Sequence, residues 1–166
     1  MRTTTRRGLG RLWSVLGAGL LGYLAAGGCG QNGDFVDQLR RGTPEQRTEA
    51  ASFLGAQKVS SAIPALRAAL RDTVPEVRAR VVWALGMLRA KEAMPDLLLM
   101  LRDASRRVRQ QAVWALMQVE EPEAIPTLEI ALKMEKDPWV RGDLRRTIEY
   151  LKQFQGDVDL SESVFR

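Results

Sequence analysis

Apolar and polar positions along this chain recur with a period much longer than a helical turn. Pro64, Pro95 and Pro126 lie 31 residues apart, as do Leu66, Leu97 and Leu128, and again Leu70, Leu101 and Leu132. Arg47, Arg78, Arg109 and Arg141 follow at 31, 31 and 32, and stepping back 31 from Leu66 and Leu70 reaches Phe35 and Leu39. Inside each unit the apolar positions take helical spacing: Val77, Val81, Ala84, Leu85 and Leu88 form one stripe. Each unit therefore predicts two helices. The first opens on a proline, whose missing N–H costs nothing in a first turn, and the second carries the stripe. First helices are predicted at 34–41, 61–72, 92–103 and 122–135, and second helices at 45–57, 75–89, 106–118 and 138–153.

A helix pair of this length cannot bury its apolar face alone, so neighbouring pairs must stack and share one core. The columns Ala50/Val81/Ala112/Leu144 and Leu54/Leu85/Leu116/Ile148 are expected to form it. The repeated signature is Pro-x-Leu-x-x-x-Leu, an Asp, then Val-Arg and Ala-Leu-Gly, carried by Pro95 to Asp103 and by Val77-Arg78 to Ala84-Leu85-Gly86. It resembles HEAT repeats, specifically the short kind of the phycobilisome lyases, over about residues 34–153. Gln46, Met117, Glu149 and an insertion around Met134 depart from the pattern. The resemblance implies an all-α fold, a right-handed α–α superhelix of about four two-helix repeats. It also implies that Asp72 with Arg78, and Asp103 with Arg109, belong to a structural ladder in which an Asp at one inter-helix turn bonds a nearby Arg.

The segment ahead of the repeats has a different pattern. Met1 to Arg11 is basic and holds no acid, and Leu12 to Gly28 is uncharged and apolar, ending in small residues before Cys29. That is the layout of an export signal. Ala26-Gly27-Gly28-Cys29 resembles the lipobox of bacterial lipoproteins, with Ala26 where the family prefers Leu, which implies lipidation at Cys29. An uncleaved membrane anchor and plain cleavage are the alternatives, and all three place the domain outside the cytoplasm. Thr5-Arg6-Arg7-Gly8-Leu9 resembles a twin-arginine signal. Gly30 stands where retained inner-membrane lipoproteins carry Asp, so outer-membrane placement is the default. The expected organisation is a leader at 1–28, a lipid-anchored linker at 29–33, the repeat domain at 34–153 and a flexible tail at 154–166.

Charge and composition narrow the chemistry. The net charge of +5 includes four arginines of the leader, which leaves 21 basic and 20 acidic residues from Cys29 onward, so no nucleic-acid partner is expected. The chain has no histidine and one cysteine. Zinc clusters, Cys/His pairs and Ser/His/Asp triads are thereby excluded, and we expect no catalytic residue, no metal and no cofactor. A hydroxylase reading fails on the missing histidine, and a DNA glycosylase reading on the near-neutral charge. A bilin-handling role like that of the lyases is the alternative that composition leaves open.

The face of the second helices opposite the buried stripe then becomes the candidate binding surface, since in HEAT-like proteins these helices line the concave side. Three columns occupy it: Glu49/Arg80/Gln111/Asp143, Ser52/Trp83/Trp114/Arg146 and Ala56/Met87/Gln118/Tyr150. Tryptophan is costly to leave wet and favoured at binding hot spots. Arg80, Trp83, Met87, Gln111, Trp114, Gln118, Arg146 and Tyr150 are expected to hold a protein partner; alternatively, the two tryptophans tilt between helices and pack. Trp139 is expected to cap the last helix. Arg102, Arg106, Arg107 and Arg109 crowd one turn, a solvated face that could also touch lipid phosphates or an acidic partner. A membrane-anchored interaction module of the cell envelope, with no chemistry of its own, follows from these features.

Overall fold

In the computed structural model the described residues are 30–164, with side chains over 33–155. The expected leader and Cys29 lie outside the described residues. Eight α-helices occur among those described: α1 (Gly30–Arg41), α2 (Pro44–Ala56), α3 (Ile63–Ala69), α4 (Pro75–Met87), α5 (Met94–Met100), α6 (Arg106–Val119), α7 (Ile125–Met134) and α8 (Pro138–Val164). They make four helix pairs of an α-solenoid, a right-handed α–α superhelix. Helix α1 starts at Gly30, inside the expected linker, and α8 continues past 153 through the expected tail.

Local chemistry accounts for the boundaries. Pro64, Pro95 and Pro126 each stand in the first turn of a first helix, where a proline is harmless. A short 3-10 turn leads into each of these helices, at Ser60–Ala62, Lys91–Ala93 and Pro122–Ala124. Thr43 opens α2 with a capping box, its hydroxyl accepting from the Gln46 N–H while Gln46 accepts from the Thr43 N–H. Asp137 caps α8 by accepting from the N–H groups of Trp139 (2.9 Å) and Val140 (3.2 Å). The expected cap, Trp139, does not do this with its ring, which stands in solvent.

The second helices pack in series, α2 on α4, α4 on α6 and α6 on α8, and α3, α5 and α7 each pack on the second helix of their own pair. Both predicted columns are buried, from Ala50, Val81, Ala112 and Leu144 to Leu54, Leu85, Leu116 and Ile148. Leu39, Leu66, Leu97 and Leu128 complete the seam from the first helices. Within the first pair, Phe35 of α1 stacks on Phe53 of α2, the ring centroids 3.9 Å apart.

The ladder is present but its rungs cross between repeats. Arg47 donates through Nε and Nη2 to both Asp72 carboxylate oxygens (2.6 and 3.0 Å), and Arg78 does the same to Asp103 (2.7 and 2.9 Å). The arginine six residues after each Asp meets its backbone instead: Arg78 donates to the Asp72 carbonyl (2.8 Å) and Arg109 to that of Asp103 (3.0 Å). A third rung runs from Arg109 to Glu135 (2.7 and 3.2 Å), in the turn that carries the inserted residue. Burial raises the Asp72, Asp103 and Glu135 carboxyls, but the guanidinium bonds and local backbone N–H groups outweigh it, and all three settle below the ordinary carboxylate range.

Candidate functional site

Close approach of the second helices decides where the tryptophans go. A methyl group at Gly55 would lie 2.7 Å from the Ala84 Cα and 3.1 Å from Trp83 Cζ3; at Gly86 it would lie 2.9 Å from the Ala115 Cα and 2.7 Å from Trp114 Cζ3. Each indole edge thus rests on the glycine of the preceding repeat, and both rings are half-buried against the core. The outer side of Trp83 carries the Arg80 guanidinium 5.3 Å from the ring centroid, a cation–π contact. The tryptophans therefore pack between helices and still show part of their surface to solvent.

The α6–α8 junction differs from the two before it. Met117 replaces the repeat's glycine, and Arg146 stands at the tryptophan position. A groove of about 410 Å³ lies here, lined by Gln111, Trp114, Met117, Asp143, Arg146 and Thr147 among others. Met117, standing in place of that small glycine, forms part of its lining. Gln111 Oε1 is buried in the junction with no hydrogen-bond partner among the described residues, whereas most buried polar atoms have one. Arg146 is exposed and paired with Asp143 one turn earlier.

Of the predicted binding residues, the structure brings Gln111, Trp114 and Arg146 into this groove and sets Arg80 with Trp83 one repeat earlier. Met87 and Gln118 stand half-exposed towards the ends of α4 and α6. Tyr150 belongs to another arrangement: its hydroxyl donates to Glu120 Oε1 (2.8 Å), and Glu120 also accepts from Arg89 Nη1 (2.8 Å). That acceptor holds the Tyr150 phenol above its usual range. Met117, Asp143 and Thr147 also line the groove, and in the sequence Met117 stands out only as a departure from the repeat.

Comparison with known proteins places the chain. The family model of HEAT repeats matches residues 34–104 and, shifted along the array, residues 69–149. No curated protein matches. Among solved structures the chain is similar to the complex of CpcE and CpcF of phycocyanin lyase from Nostoc sp. PCC7120, with 28% identity and a TM-score of 0.57. That likeness covers 62% of this chain and 41% of the lyase chain, so the chain spans about two fifths of its length. It also shares its fold with an engineered protein, at 20% identity and a TM-score of 0.58, over 73% of this chain and 62% of that one. With the repeat model matched twice across four stacked helix pairs, the chain belongs to the HEAT-repeat family.

Proposed function

We propose that this protein is a non-catalytic scaffold of the cell envelope, anchored in a membrane through Cys29, that holds a protein partner against its second helices. The observation that carries the binding reading is the α6–α8 groove, where a buried and unpaired Gln111 Oε1 lies beside half-exposed Trp114 and exposed Arg146. HEAT arrays present extended surfaces of this kind for protein interaction. The anchor reading is supported by the basic start, the apolar stretch and the small residues before Cys29; among the described residues no helix is long and apolar enough to cross a membrane.

Photo-crosslinking in intact cells tests the binding face. A benzoylphenylalanine at Met87 or Gln118 should capture one discrete protein, while the same probe at Arg67 or Ala68, exposed on first helix α3, should not. Capture from both sets alike, or from neither, would count against this face. Palmitate labelling tests the anchor: label should enter the native chain and be absent from Cys29→Ser.

The lyase likeness favours a second reading, in which the groove handles a bilin. Adding a free bilin to the purified protein separates the two. A shifted absorption band that Trp114→Ala abolishes supports the pigment role, and an unchanged spectrum leaves the scaffold.

A further inference from the structure

The edge formed by the turns between first and second helices carries a second periodicity. Arg40, Arg71, Arg102 and Lys133 follow one another at intervals of 31, all are exposed, and none pairs with a carboxylate among the described residues. The acids of the same turns are engaged elsewhere. Asp72, Asp103 and Glu135 are taken up by the ladder, and Asp137 caps α8 and pairs with Arg106 at 3.2 Å. The edge therefore presents cations with their counter-charges turned inward.

Its character also changes along the array. Exposed Glu45 and Glu76, in the first turns of α2 and α4, give way at the matching positions to exposed Arg107 in α6 and Trp139 in α8. Leu99 and Ile130 stand three residues before Arg102 and Lys133, and Met134 follows. Leu99 and Met134 are each 64% exposed and Trp139 is 71% exposed. The last two repeats thus combine unpaired cations with long exposed apolar side chains near the helix ends that flank the turns.

We propose that this edge of the third and fourth repeats docks on an anionic lipid surface. Arg102, Arg107 and Lys133 would meet lipid phosphates while Leu99, Met134 and Trp139 enter the headgroup region, where tryptophan is favoured and cations gain from the surface potential. An acidic protein would satisfy the cations, but the apolar tips are spread over the ends of three helices and not gathered around one pocket, the arrangement that concentrates binding energy between proteins. Arg107 and Trp139 stand one turn before Gln111 and Asp143, so this edge adjoins the start of the second-helix face; crosslinking at Met87 and Gln118, at the far ends of α4 and α6, reads that face separately from lipid protection of the edge.

The test uses the full chain on vesicles of phosphatidylcholine alone and of phosphatidylcholine with an equal part of phosphatidylglycerol, read by amide hydrogen exchange. Peptides covering 99–107 and 133–139 should be protected on the mixed vesicles only, and residues 45–52 should exchange alike on both. Each neutralised cation should weaken docking about fivefold. Arg102→Gln with Arg107→Gln and Lys133→Gln should therefore remove the protection, as should 1 M salt, with circular dichroism unchanged. Trp139→Ser is the independent variant and should lower protection without touching charge. Equal exchange on both vesicles overturns the proposal, and so does protection that survives the triple substitution. Protection by soluble polyglutamate equal to that by vesicles would assign the edge to an acidic protein instead.

Discussion

One acidic residue in each of the last three turns between first and second helices performs three tasks. Asp103 accepts both arms of Arg78 from the preceding repeat, its Oδ1 accepts the Ser105 N–H (2.8 Å), and its backbone carbonyl accepts Arg109. Because the folded-state carboxyls lie below their ordinary values, the stabilisation is complete above the unfolded pKa and is lost as pH falls through the folded one. The loss should therefore begin below about pH 4 and deepen in stronger acid. Asp103→Asn keeps the shape but not the charge, and we expect a cost of about 2 kcal/mol at neutral pH with a shallower decline in acid. Urea unfolding across that range measures both. An acid slope identical to that of the native chain would mean the rung does not govern it.

Helix ends and helix crossings show how unevenly sequence reveals structure. The Ala-Leu-Gly signature made the close crossings legible, because only glycine fits where a Cβ would meet the backbone of the next helix. Gly86→Ala should cost about 1 to 3 kcal/mol, since the Ala115 backbone cannot step aside. The helix stops were less legible. Lys58 and Arg89 follow α2 and α4 in the left-handed region, at φ of 52° and 47°, and Val59 and Ala90 close the turns by donating to the Leu54 and Leu85 carbonyls (3.0 and 3.1 Å). Glycine is the usual marker of such a stop, and long charged residues stand here instead. Relieving that strain with Lys58→Gly should raise stability by about 0.5 to 1 kcal/mol, despite glycine's greater freedom in the unfolded chain. A melting temperature at or below that of the native protein would show the strain to be negligible.

Across the whole molecule, the buried columns could be read because each repeat returns the same demand to the same position: Leu66, Leu97 and Leu128 occupy one site three times. The α6–α8 groove could not be read that way, since Met117 and Arg146 line it where the repeat has glycine and tryptophan, and no period describes a difference. Repetition also governs how the molecule should come apart. Each helix pair contacts mainly its neighbours, so opening the third pair alone would break two interfaces, whereas opening the third and fourth together breaks one. Leu97→Ala, which hollows the third pair, should thus lower the opening free energy of amides in α5 to α8 by about 2 to 4 kcal/mol. Amides of α2 and α4 should change much less, because their interface with each other survives that opening. Native-state hydrogen exchange resolved by helix distinguishes this from a uniform fall, which would reveal a single all-or-none unit in place of a chain of neighbours.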